Sequence, residues 1–222
     1  MFQFLFLFFT PLLLLAKDGQ TIYMETCAAC HGEKGRAESK IQLVVKPRVL
    51  HKSILTQKQM FKIIKHGAHH FGARSDIMPA FKYIYSDAEI QSVAKYISNT
   101  FNPNIKSKIK KLLRYSQVTP TKSIEERLSI GGKIFQKRCA KCHGVKGNGE
   151  SKYVEMSKSN VKFIYPYNLK KTLLTEDQIL LFAKYGSKYW GADKNDMPAW
   201  FIKYDDCELR FVAKYIQKNI KN

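Results

Sequence analysis

Residues 19–40 read GQTIYMETCAACHGEKGRAESK, and residues 131–152 read GGKIFQKRCAKCHGVKGNGESK. The two stretches align without a gap at an offset of 112, which carries Cys27 onto Cys139 and His31 onto His143. Further along, residues 56–97 return as residues 175–216 at an offset of 119, with GARSDIMPAF set against GADKNDMPAW and SVAKYI against FVAKYI. The chain of 222 residues is therefore one unit written twice. Two copies make a duplicated domain and not a solenoid. The step in offset from 112 to 119 means that the second copy gains seven residues between its blocks. Insertions are tolerated in surface loops, which places this one around residues 154–166.

Each copy reads as mostly helical. Gly19, Tyr23 and Cys27, like Gly131, Phe135 and Cys139, recur four apart and share one helix face. Thr56 and Thr175 are N-cap residues of a middle helix, each with a Gln three residues on. A last helix starts at Asp87 or Asp206 and runs through VAKYI. The strand signal at Leu43, Val44 and Val45 is short and isolated. The expected fold is thus mostly α, two tandem helical domains over residues 17–101 and 123–222. Residues 102–122 form the linker, where Ile105, Ile109, Leu112 and Leu113 fall at the spacing of a short basic amphipathic helix packed between the domains. Ser123 and Glu126 form the Ser-x-x-Glu pattern that opens the second domain. Residues 2–16 are almost wholly apolar and precede KDGQ, so residues 1–16 read as a cleaved signal peptide or an uncleaved N-terminal anchor. They are shorter than the roughly 20 apolar residues that span a bilayer.

Cys27, Cys30 and His31, and again Cys139, Cys142 and His143, form Cys-x-x-Cys-His motifs. This is the attachment pattern of a c-type haem: the thiols add to the two vinyl groups as thioethers, and the adjacent His ligates the iron. A zinc ribbon drawing on both pairs would need to close across a full repeat. A thioredoxin-like redox pair needs no His after its second Cys and sits beside a βαβ pattern, which this sequence lacks. Cys207 pairs with Ala88 of the first copy and has no motif around it, so it reads as a free thiol near a helix start or the donor of an intermolecular disulfide.

On these residues the sequence resembles the class I cytochromes c, and more closely their two-domain, dihaem members, over nearly all of residues 17–222. The resemblance implies two covalently bound haem c groups, one in each domain. Cys27, Cys30, Cys139 and Cys142 would bind them covalently, and His31 and His143 would be proximal iron ligands. Met78 and Met197, each followed by Pro, match the family's sixth ligand. They alone of the six Met residues coincide between the copies. A thioether ligand favours Fe(II) and raises the reduction potential over a bis-His site. His66, His69 and His70 face Tyr185, Lys188 and Tyr189 in the second copy, so they read as a polar face near the haem edge, and His51 reads as superficial. The resemblance also implies a tight loop at Gly32, Lys34 and Gly35, and at Gly144, Lys146 and Gly147. It implies aromatic contacts of Tyr23 with Tyr96 and of Phe135 with Tyr215. Phe71, Phe81, Trp190 and Trp200 would line the pockets or offer a donor to a propionate.

Lys and Arg total 38 against 18 Asp and Glu, a formal charge of +20. Such a field favours acidic redox partners or a membrane surface, and no nucleic-acid motif accompanies it. The expected function is therefore that of an exported, periplasmic electron carrier and not an enzyme. Its partners would be a quinol-cytochrome c reductase and a terminal oxidase or reductase. The alternatives are an electron-transfer subunit of a larger membrane-associated oxidoreductase and a dihaem peroxidase or gas sensor, which needs an iron able to lose its sixth ligand.

Overall fold

The computed structural model describes residues 16–38, 41, 46–73, 78–114, 121–151, 166–192 and 197–221. The apolar run over residues 2–15, the strand signal at Leu43–Val45 and nearly all of the inserted loop lie outside them. The described residues are mostly helical and contain no strand. No described helix is long and apolar enough to cross a membrane.

In the first copy, α1 runs through Gly19–Ile22, a π-helical turn at Tyr23–Cys27 and Ala28–His31. It is followed by α2, Gln57–His66, and α3, Asp87–Phe101. After α4, Ile105–Arg114, the second copy repeats the plan. There α5 comprises Ile124–Ile134, the π-turn Phe135–Cys139 and Ala140–His143; α6 is Glu176–Tyr189; and α7 joins Asp206–Tyr215 to Ile216–Ile220. Local chemistry sets the starts. Thr56, Ser86, Ser123, Thr175 and Asp205 each close a reciprocal capping box with the Gln or Glu three residues on. Each box satisfies two backbone amides that a helix start would otherwise leave unpaired.

In both copies the first helix crosses the last at a glycine. A Cβ on Gly19 would stand 2.2 Å from the Ser92 carbonyl oxygen, and one on Gly131 would stand 2.1 Å from that of Phe211. Only a hydrogen at these positions lets the backbones meet. Tyr23 packs on Tyr96 with ring centroids 5.5 Å apart, and Phe135 on Tyr215 at 5.7 Å, as expected between first and last helices. Lys65 bonds Asp87 at 2.6 Å and Lys184 bonds Asp206 at 2.7 Å, tying the middle helix to the start of the last one. One core contains Ile22, Tyr23, Ile90, Val93 and Phe101, and its counterpart contains Phe135, Leu180, Leu209, Val212 and Ile216.

The copies meet through contacts that come in exchanged pairs. Val49 N donates to Gly191 O at 3.0 Å, and Asn168 N donates to Gly72 O at 2.8 Å. Gln59 Nε2 donates to Leu173 O and Gln178 Nε2 to Ile54 O, each at 2.8 Å. The two Gln side chains also bond one another, at 2.8 and 3.0 Å. At the offset of 119, every one of these bonds maps onto its twin. That exchange is the signature of an isologous interface, here formed within one chain. Beside it, Ile54, Ile105, Leu181 and Trp190 make a third buried cluster, against which Ile109, Leu112 and Leu113 of α4 pack.

Each Gln satisfies the other, so truncating one strands a buried amide. Gln59→Ala and Gln178→Ala are expected to lose about 1–3 kcal/mol each. The double variant should lose less than the sum, as interacting residues do. Urea unfolding of the three variants measures this; additive losses would mean that the amides do not meet in solution.

Candidate functional site

The helical turn that ends α1 brings Cys27, Cys30 and His31 to one side, since residues three and four apart share a face. The chain then turns back at once. Gly35 N bonds Gly32 O, Ala37 N bonds His31 O, and Leu50 N bonds Gly35 O at 2.8 Å. In the second copy Gly147, Gly149 and Leu169 repeat these bonds to Gly144, His143 and Gly147, the last at 2.7 Å. This is the tight loop expected after each Cys-x-x-Cys-His. Tyr23 adds a buried hydrogen bond from its hydroxyl to Gly32 O at 2.6 Å, which Phe135 cannot copy.

Both His rings are half-buried, and burial lowers both pKa values, with a backbone group opposing it. The rings are thereby held neutral, the form that ligates a metal. His143 Nδ1 lies 3.0 Å from Tyr167 O. A carbonyl at that distance accepts a hydrogen bond from Nδ1–H and leaves Nε2 as the free nitrogen. The Arg48 backbone stands in the corresponding place beside His31, while His31 Nδ1 itself is buried without a hydrogen-bond partner.

The four motif thiols are free and half-buried. Burial, with a smaller contribution from the neighbouring Cys, pushes Cys27 and Cys139 up to about 12. Burial also raises Cys142. A dithiol redox centre needs the opposite shift, a lowered pKa that supplies thiolate. Among the described residues, no three His, Cys, Asp or Glu side chains converge as a metal cluster would require.

The ends of α2 and α6 pin the Met-Pro segments. Met78 O accepts from Ala68 N at 3.0 Å, and Phe81 N donates to Ile64 O at 3.0 Å. Met197 O accepts from Ser187 N at 3.0 Å, and Trp200 N donates to Ala183 O at 3.0 Å. Gly67, with φ 79° and ψ 157°, and Gly186, with φ 74° and ψ 172°, make this approach possible. A Cβ on Gly186 would stand 2.7 Å from Met197 O. As a result Met78 packs on the same core as Cys27, and Met197 on the same core as Cys139. Each domain thus packs a motif cysteine and a Met-Pro methionine against one core, with the rest of the Cys-x-x-Cys-His at the end of the first helix. That donor set fits a c-type haem, which would engage the free, half-buried thiols and the imidazoles of His31 and His143.

Other expectations fare differently. Trp190 does not offer its indole N–H to a ligand, because it bonds Leu181 O at 3.1 Å inside the interdomain cluster. Phe81 and Trp200 line the two domain cores beside Met78 and Met197. His66 and His70 stack with centroids 5.1 Å apart, and Phe71 meets both edge-on. His51 is exposed but bonds Lys34 O at 2.7 Å. Cys207 is a free, half-buried thiol at the start of α7. The sequence reading passed over Arg48 and Tyr167, which flank the two His rings. Their alignment at the offset of 119 was the available signal, a charge set against a neutral ring.

In comparison with known families, the model for cytochrome c oxidase, cbb3-type, subunit III matches twice, over residues 15–97 and 126–216. Among solved structures, a chain of the Kuenenia stuttgartiensis reducing HAO-like protein complex is 18% identical, with a TM-score of 0.44, over 93% of this chain and 97% of that one. A comparison with curated proteins found no match.

The backbone at Gly186 is one that only glycine adopts readily. Gly186→Ala is expected to cost about 1–3 kcal/mol from backbone strain alone, together with displacement of the Met197 segment. Calorimetry of the variant beside the parent would show the loss; an unchanged melting temperature would refute the pinning described for this loop.

Proposed function

The chain belongs to the cytochrome c domain family described as cytochrome c oxidase, cbb3-type, subunit III, and from that premise we propose that it is a periplasmic dihaem cytochrome carrying single electrons between respiratory components. Its work is electron transfer, as a carrier or a redox-complex subunit and not as a catalytic enzyme. The observation that carries the dihaem reading is the duplication of one donor set in both copies. Cys27, Cys30, His31 and Met78 would hold one haem c, and Cys139, Cys142, His143 and Met197 the other.

Each group, when bound, supplies a one-electron iron couple. The chain would supply His31 and Met78 to one iron and His143 and Met197 to the other. His143 is oriented by the Tyr167 carbonyl, and each Met is pinned by backbone hydrogen bonds to the preceding helix end. Such ligands keep the same geometry in either oxidation state, which suits a carrier better than a peroxidase or gas sensor.

Docking would use the turn after each Met-Pro segment. Tyr83 and Ile202 are 83% exposed, Ile84 67% and Phe201 53%. They sit beside Lys82 and Lys203, so each domain presents an apolar tip within a basic field. That combination suits an acidic redox partner such as a quinol-cytochrome c reductase or a terminal oxidase or reductase. It serves equally a chain held in a larger oxidoreductase, the second reading. The apolar residues 2–16 support export, with the segment either removed or kept as a tether.

A haemochrome count with optical spectra tests the centre. Two covalent haems per chain, low-spin in both oxidation states, are expected, with Met78→Ala and Met197→Ala each turning one site high-spin. One haem or none overturns the proposal. Electron transfer to an acidic partner should also slow steeply as salt rises, because screening shortens the reach of the +20 charge. A rate indifferent to ionic strength would remove the steering role.

A further inference from the structure

We propose that Arg48 binds a haem carboxylate between the two domains and makes the two redox sites electrically unequal; the inference rests on the dihaem reading above. Arg48 Nη1 is buried and has no hydrogen-bond partner. Its guanidinium carbon lies 5.7 Å from the Tyr167 ring centroid and 5.6 Å from that of Phe182, both in the second copy. Ring faces attract the cation but leave a directed N–H unsatisfied. Among the described residues no carboxylate pairs with it. A guanidinium with a buried, unpaired N–H on a half-buried side chain is satisfied where an anion meets it, and its planar fork matches a carboxylate in particular.

The location says which carboxylate. The Arg48 backbone stands beside His31, and the ring under its guanidinium belongs to Tyr167, whose carbonyl holds His143. One side chain thus spans the residues that flank both proximal imidazoles. The adjoining backbone is tied across the boundary by Val49 N to Gly191 O at 3.0 Å. Haem carries its own carboxylates, the propionates, and Arg48 stands beside residues of both sites.

The charge has no twin. The hydrogen bonds named above across the boundary occur as exchanged pairs, but the counterpart of Arg48 is the neutral Tyr167. A propionate neutralised by Arg48 no longer stabilises the ferric iron of its haem, so that haem is the easier to reduce. The single cation would therefore give the electron a preferred resting place within an otherwise symmetric pair.

Spectroelectrochemical titration of the full holoprotein tests this, comparing the parent with Arg48→Leu and Arg48→Lys. Arg48→Leu is expected to keep two covalent haems and both Met ligands while one of the two waves moves to lower potential. A tenfold change in that reduction equilibrium corresponds to about 59 mV for one electron. Arg48→Lys should restore part of the shift. Comparison with Met78→Ala and Met197→Ala identifies the wave that moved, and hence the domain whose carboxylate Arg48 holds. Both waves unmoved, or both moved equally, would overturn the proposal. If Arg48→Leu does not fold, Arg48→Lys and Arg48→Gln decide by the same criterion. A parent chain with fewer than two covalent haems would instead defeat the dihaem reading, a result visible before any Arg48 variant is made.

Discussion

The close crossing of the first and last helix governs the rest of each domain. Gly19 against Ser92 and Gly131 against Phe211 meet backbone to backbone, at distances no other side chain permits. That contact fixes the direction in which α1 and α5 run, and so the place where each Cys-x-x-Cys-His emerges. The π-turns at Tyr23–Cys27 and Phe135–Cys139 fall just after the crossing. Such a turn widens one step of the helix and shifts the residues that follow it around the axis. Buried Tyr23 and Phe135, packed on half-buried Tyr96 and Tyr215, then fill the angle between the helices. Cys27 and Cys139 reach their cores because this joint holds. The Met segments reach the same cores because a glycine ends or kinks the middle helix at the matching place.

Joining two such domains solved a second problem. Each domain of about 100 residues buries a small core, and domains of that size have little stability to spare. The isologous boundary buries further surface and satisfies two amides and two carbonyls with one reciprocal Gln pair. The same residues, Gln59 and Gln178, also close the capping boxes of α2 and α6. Helix start and domain boundary are therefore one structure, and a change at either Gln touches both. The linker helix α4 seals the boundary with its apolar residues while its lysines stay outward or lie over rings, as Lys108 does at 5.2 Å from the Trp190 centroid.

Within this symmetry the departures carry the individuality of the chain. Tyr23 has a hydroxyl where Phe135 has none, and Arg48 is charged where Tyr167 is neutral. His66 and His70 stack where the second copy stacks Tyr185 on Tyr189, at 4.8 Å. Each difference sits near one site or at the boundary, where it distinguishes the two halves without disturbing the shared helix plan.

Much of this was legible in the order of residues alone. Repeat, helices, capping boxes and donor residues all depend on neighbours a few positions apart, and short-range periodicity and spacing report such neighbours directly. Trp190 shows the limit: its aromatic ring was readable as a pocket wall, yet it lies between domains, bonded to Leu181. Gln59 and Gln178 were readable as caps, but nothing local announces that two caps 119 positions apart will face each other. Arg48 likewise has no local sign of the rings it covers. The sequence by itself determined that two like helical units each carry a Cys-x-x-Cys-His and a Met-Pro. Only the tertiary structure decided how the units face, because that choice rests on hydrogen bonds and burial between residues more than a hundred positions apart, which no local pattern encodes.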